Sequence, residues 1–279
     1  MTRSLEGEAY LHQGVIYIAK GYQHPDGYVV AYPRYNALNR SKLLAHEYIK
    51  HGIYKYWDCI KQVVPLIPLK KSFKLYSTYN IEVSYILEFI RSLLDREKEV
   101  YLTGSSLINK EFNDIDVVIY GSDESTVDNI ERLFNQGVLS RSYYILIREH
   151  REKHFDKMKL EEYLKIKKNT ILHGLFRNIH VNFKLVELEK GFNTCIDPVE
   201  KYSIYTGLIE VVKPINPHLI PARYVGIIGG EEITIESLRE IYAELTPGKY
   251  YAENARVEDR SSDRFLVPDL GVLKPVNLG

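Results

Sequence analysis

Glu99-Val100-Tyr101-Leu102-Thr103-Gly104-Ser105-Ser106-Leu107-Ile108-Asn109-Lys110-Glu111-Phe112-Asn113-Asp114-Ile115-Asp116-Val117-Val118-Ile119-Tyr120-Gly121 is the stretch on which the reading of this chain turns. It divides into an apolar strand, a Gly-Ser turn, a short linker and a second strand that opens with Asp-Ile-Asp. Gly104 has no Cβ and lets the backbone approach a phosphate closely, and Ser105, with its own amide and that of Ser106, can donate to phosphate oxygens. Asp114 and Asp116 stand two apart on a strand. Their carboxylates are therefore expected on one face within ~6 Å of each other, with Ile115 turned into the core. Paired carboxylates suit Mg²⁺ or Mn²⁺, hard cations that take oxygen ligands and bridge to the phosphates of a substrate.

This strand, Gly-Ser, strand, Asp-x-Asp arrangement resembles the signature of the DNA polymerase β nucleotidyltransferase superfamily. The resemblance implies an α+β core in which helices flank a mixed sheet, an NTP and a divalent metal as ligands, and transfer of a nucleotidyl group to an acceptor hydroxyl. Gly104 and Ser105 match the phosphate-binding pair, and Asp114 and Asp116 match the first two metal ligands. More loosely, the whole chain is similar to nucleotidyltransferase-like proteins of archaea. The signature itself covers about a tenth of the chain. Eight residues separate Ser105 from Asp114, at or below the short end of the family's spacing, so the linker adds less to the pocket.

Active members of the superfamily carry a third carboxylate on a later strand, which completes the metal site and activates the acceptor. Two places fit. Val181-Asn182-Phe183 lies on the obvious strand with an amide at the position, while Val186-Glu187-Leu188 follows with a carboxylate. Regular alternation from His180 presents His180, Asn182 and Lys184 on one face, and Glu187 reaches that face only through a bulge. With Glu187 the triad is complete. With Asn182 the second metal is weakened, and the same fold would bind nucleotide or RNA without turnover.

Outward from the motif, Val83, Ile86, Leu87, Ile90, Leu93 and Leu94 recur at helical spacing before it, and Val127, Ile130, Leu133 and Phe134 do so after it, behind a cap at Ser122 or Asp123. Residues 14 to 33 read as a hairpin that Pro33 ends, and 41 to 50 as a short helix. Residues 60 to 72, with Pro65 and Pro68, read as irregular or an edge strand. Tyr143 to Ile147 reads as a short strand, 156 to 172 as a charged helix, and Ile179 to Val186 as a strand with one buried face. From about 204 the chain changes to short strands punctuated by Pro and Gly. The expected organisation is an N-terminal α+β segment over 1–79, a nucleotidyltransferase core over 80–203 and a small β domain over 204–279.

Lys plus Arg and Asp plus Glu both number 37, so no global positive field marks a nucleic-acid binder. Local charge must serve. Arg177 at a turn and Lys184 on the next strand are candidate phosphate ligands, while Lys165, Lys167 and Lys168 read as a solvated helix face. The tyrosines Tyr17, Tyr22, Tyr28, Tyr32, Tyr35, Tyr250 and Tyr251 read as core, with base stacking as the second use. His150 and His154 read as a surface pair. Cys59 and Cys195, the two cysteines, read as buried free thiols. Glu6 and Glu8 interrupt the apolar run a signal peptide needs, and no segment approaches a membrane span, so the expectation is a cytoplasmic protein. With Met and Cys at two each, a thermophilic host is also expected.

Overall fold

The computed structural model describes residues 4–76, 80–94, 98–109, 112–188 and 195–276. Lys110 and Glu111 of the linker lie outside them. The chain is α+β and forms two compact units, one of residues 1–120 with 188–198, the other of 121–187 with 199–279. Among the described residues no helix is long and apolar enough to cross a membrane.

The first unit begins with β1 (Ala9–His12), β2 (Val15–Ala19), β3 (Tyr28–Asn36), β4 (Ile53–Trp57), β5 (Gln62–Pro68) and β6 (Phe73–Leu75), and a 3-10 turn over Ala45–His51. They pair antiparallel in the order β4-β5-β3-β2-β1-β6. Tyr10, Val15, Tyr17, Ala19, Val29, Ala31 and Ile67 fill one cluster beneath this sheet. The hairpin is where the alternation put it, but Pro33 does not end it. β3 runs on to Asn36: Pro33 still faces Tyr17 although it cannot donate to the ladder, and a bulge at Arg34, the next residue, restores the pairing at Tyr35. Residues 62–68 are likewise no edge: β5 pairs with β3 on one side and β4 on the other.

In the same unit, α1 (Ile81–Leu93), capped by the Asn80 side chain, buries Val83, Ile86, Leu87 and Ile90. Arg91 reaches from it to the Val100 carbonyl of β7 (Glu99–Thr103) at 2.6 Å. α2 (Gly104–Ile108) follows, and β7 pairs antiparallel with β8 (Ile115–Tyr120). The free thiols expected at Cys59 and Cys195 are instead a disulfide, with Cα atoms 5.8 Å apart across a sequence separation of 136. Sequence spacing carries no signal for a pair that only the fold brings together. Gln23 fixes the same returning segment by accepting from the amides of Ile196 (2.7 Å) and Asp197 (3.0 Å).

The second unit carries α3 (Glu124–Asn135), capped by Asp123, then α4 (Tyr143–Glu149) and α5 (Leu160–Lys167). β9 (His173–Phe176) and β10 (Ile179–Val186) form a hairpin, and β10 pairs in parallel with the two-residue β12 (Leu219–Ile220), which follows β11 (Val199–Asn216). β13 (Ala222–Ile228), β14 (Glu231–Ser237), β15 (Gly248–Arg260), β16 (Arg264–Val267) and β17 (Val272–Pro275) complete the chain. β11, β13, β14, β16 and β15 pair in a closed ring, since β15 also returns to β11, with β17 beside β15. Closing the ring removes sheet edges that would otherwise be exposed.

Three expectations in this unit need correction. Tyr143 to Ile147 is helical, because Ile145, Leu146 and Glu149 bury one helical face and that packing overrides the β preference of Tyr and Ile. β10 buries both faces, not one: His180 and Asn182 are 4% exposed, as hidden as their apolar neighbours. Lys167 is not on a solvated face. At 1% exposure it donates to the carbonyls of Glu240 (2.9 Å) and Ala243 (2.8 Å) and pairs with the Glu244 carboxylate at 3.1 Å. Burial resists the charge of Glu244, yet Lys167, the Ile171 amide and Thr170 outweigh it and hold its pKa below the usual range.

Removing one partner of such a buried pair strands the other charge. Lys167→Ala is expected to lower unfolding stability by about 3–5 kcal/mol in urea titrations, and an unchanged midpoint would contradict the role assigned to this pair. Burial also holds three histidines neutral, His24 and His154 with pKa about 4 and His180 with pKa about 3. Their pKa values are depressed relative to the unfolded chain, so their contribution is complete above pH 6.5 and is lost as pH falls toward 4. Melting temperature should decline across that window, and His24→Gln should flatten part of the decline.

Candidate active site

The Gly-Ser turn owes its form to one residue. Gly104 has φ +66°, and a Cβ built on it would stand 2.0 Å from Oδ2 of Asp116. That conformation is costly for any L side chain, and here the space is also taken. Across the ladder Thr103 faces Asp116, which brings the end of β7 to the start of β8. The Ser106 hydroxyl secures that corner, donating to the Thr103 carbonyl at 3.2 Å and accepting from the Asp116 amide at 3.4 Å. Ser106 is fully buried, so its side chain is a positioning group, whereas Ser105 is half-exposed on the same turn. Ile115 is fully buried, as the strand parity requires.

Asp114 immediately precedes β8 and Asp116 lies within it; both are half-buried. Burial pushes the Tyr35 phenol up, Arg34 opposes that shift, and Asp116 and Asp114 both add to it. The aspartates therefore bear on the same phenol. Among the described residues there is no cluster of three or more His, Cys, Asp or Glu side chains able to hold a metal. Two carboxylates suit Mg²⁺ none the less, because it commonly keeps water and takes its remaining oxygens from substrate phosphates.

The other candidates lie in the second unit. The Glu187 carboxylate, just past the end of β10, accepts from Arg223 at 3.1 Å and Asn216 at 3.2 Å. Asn182 is buried, with Oδ1 2.7 Å from Nδ1 of His173. Lys184 pairs with Glu240 at 3.4 Å. Arg177 is exposed at the tip of the β9–β10 hairpin, where it and Asn178 both take positive φ, the geometry of a two-residue turn. Lys165 and Lys168 line a cleft of about 230 Å³ with Asn169, His218 and Thr246. His150 is not on the surface: it is 6% exposed, bonds the Met158 carbonyl at 2.8 Å and, like His154, packs its ring 5.5 Å from Tyr163.

Sequence reasoning passed over Arg34 and treated Tyr35 as one tyrosine among many. The available signal was Pro33 inside an otherwise regular strand, which forces a ladder irregularity beside it. At Gly104, alanine should cost roughly 1–3 kcal/mol of stability and move Asp116, so that Mn²⁺ affinity falls with it. Ser105→Ala should leave stability within about 0.5 kcal/mol of wild type. Chemical denaturation with parallel Mn²⁺ titration reads both, and equal behaviour of the two variants would refute the account of Gly104.

Comparison with curated proteins and with solved structures yields no significant match to either. Residues 83–204, which run from α1 through β7, the Gly104 turn, the aspartate pair and β10, match the model of the nucleotidyltransferase domain family.

Proposed function

We propose that the chain is a nucleotidyltransferase that transfers a nucleoside monophosphate from an NTP to an acceptor hydroxyl with the help of Mg²⁺ or Mn²⁺. The observation that carries this reading is the contact of the Asp116 carboxylate with the Gly104 backbone, in a segment that matches nucleotidyltransferase domains. A carboxylate held against a side-chain-free turn leaves the turn's amides and the acid close together, the combination a metal-bound triphosphate requires. Asp114 and Asp116 would hold the cation, which when bound draws charge from the phosphate oxygens. Gly104, Ser105 and Ser106 would cradle the phosphates with their backbone amides. The acceptor oxygen forms its bond to the α-phosphorus as the bridging P–O bond breaks. Pyrophosphate leaves, and the hydroxyl proton passes to a carboxylate.

A second reading has a specific observation behind it. Glu187 is engaged by Arg223 and Asn216, and Asn182 is held by His173, so both places suggested for a third carboxylate are already partnered within the protein. This favours a fold that binds nucleotide or RNA and turns over slowly or not at all. The cleft beside Lys165 and Lys168 is where an RNA phosphate would meet local positive charge.

Mn²⁺ with NTP is expected to raise the melting temperature, because a ligand bound only by the native state stabilises it by mass action. The double variant Asp114→Asn, Asp116→Asn should lose that shift; an undiminished shift would put the nucleotide elsewhere. Incubation with labelled ATP, CTP, GTP or UTP, Mn²⁺ and cellular RNA separates the two readings. Incorporation that vanishes in Asp116→Asn supports transfer, and binding without incorporation supports the module.

A further inference from the structure

We propose that this chain pairs with a second copy of itself through the free edge of β11, where Lys201–Tyr205 of the two copies run antiparallel about Ser203. The inference uses residues outside the nucleotide site and does not depend on the nucleotidyl-transfer reading.

β11 is 18 residues long, and its two halves have different neighbours. From Val199 to Val211 it has β15 on one side, but β13 joins it on the other side only from Glu210 to Asn216. The ring therefore closes through the second half of β11. Along the first half, among the described residues, no strand pairs with the second edge. Such an edge presents unpaired N–H and C=O groups to any extended chain that reaches it. It is open to one, since Lys201, Tyr202, Ser203, Ile204 and Thr206 are all exposed. Tyr202 and Ile204, 50% and 59% exposed, share one face and have the side chains that pack best across a pleated sheet.

The register of β11 indicates which chain fits. Its pairing with β15 shifts between Val199 and Lys201 and again between Tyr205 and Gly207, beside Asn254 with its positive φ. Bulges disrupt a ladder, so the regular run is Lys201–Tyr205 and its middle residue is Ser203. A second copy laid antiparallel about that residue sets Ser203 against Ser203, Tyr202 against Ile204 on both sides of it, and Lys201 against Tyr205 at both ends. Any other register leaves part of the run unpaired. Aromatic against β-branched is a favourable cross-strand pair, and no like charges stand opposite. Lys201, the only charged residue of the run, already pairs with Asp259 at 3.1 Å within its own copy. Because both copies use the same edge, the assembly closes at two.

The competing role for this strand is internal. The Tyr202 ring lies 4.0 Å from the guanidinium carbon of the buried Arg256 and shields it from water. That role accounts for Tyr202 but leaves Ile204 in solvent. Sedimentation of wild type, Ser203→Glu, Ser203→Lys and an equimolar mixture of the two variants, each over a concentration series, separates the roles. Wild type should pass from monomer to dimer at roughly 10–100 µM, the weak range of an interface below about 1,200 Å². Each charged variant alone places like charges opposite each other and should associate at least ~10-fold more weakly. The mixture places Glu against Lys and should dimerise at least as tightly as wild type. If a charged variant melts early, Ile204→Thr carries the test, because it keeps a β-branched side chain, loses the apolar contact and should weaken the dimer several-fold. The proposal is overturned if wild type stays monomeric through that range, whether or not it binds an added peptide or RNA. It is equally overturned if the charged variants or Ile204→Thr dimerise as wild type does, or if mixing folded charged variants restores nothing.

Discussion

The carboxylate of Asp116 occupies the volume that a side chain on residue 104 would need, and much of the first unit is arranged around that contact. It requires a residue without Cβ that tolerates positive φ, which only glycine satisfies without strain. It requires β7 and β8 to meet at the Thr103–Asp116 pair, which Ser106 locks from below with one hydroxyl acting as both donor and acceptor. It also requires the ends of those strands to stay where the N-terminal segment binds them, through Thr103 and Tyr120. A carboxylate kept this close to a bare backbone turn is not needed to bury apolar surface. In the function proposed above, that carboxylate would hold the cation while the turn's amides meet the phosphate oxygens.

The second unit depends on a different kind of constraint. Lys167 is among the largest fully buried side chains, and its ammonium is satisfied by two carbonyls and Glu244. Glu244 takes positive φ and gathers Thr170 and the Ile171 amide as well. A buried ion pair of this kind contributes little net stability over an apolar replacement, yet losing one member is severe. It therefore fixes how α5 and the residues after it meet the turn before β15, and it accounts for the C-terminal strands belonging to the same compact unit as 121–187. Charge in this unit is used largely for construction: Arg223, Arg256 and Arg260 are paired with Glu187, Glu236 and Glu258 in the same way.

The disulfide has a consequence for the first unit that apolar packing could not supply. Cys195 returns from a long excursion of the chain, and tying it to Cys59 closes a loop whose entropy in the unfolded state is worth about 5 kcal/mol on the chain-entropy account. Disulfides are rare in intracellular proteins outside hyperthermophiles, so this bond bears directly on the cytoplasmic expectation drawn from the N-terminus.

The elements legible in the sequence were those with a local cause. The faces of α1 and α3 follow from apolar spacing, the Asp123 cap from its side-chain chemistry, the first hairpin from alternation and turn residues, and the Gly104 turn with its aspartates from parity and the absence of a Cβ. Tertiary structure decided everything in which distant residues compete for the same groups. Lys167 reads as a solvated lysine because nothing near it in sequence reveals Glu240, Ala243 and Glu244. Tyr143 to Ile147 reads as a strand because its helical face is defined by what it packs against. Cys59 and Cys195 read as separate thiols because their proximity is a property of the fold. Arg34 goes unnoticed because a bulge depends on the register of two strands, not on the residues of one, and register is a non-local quantity that no window of sequence contains.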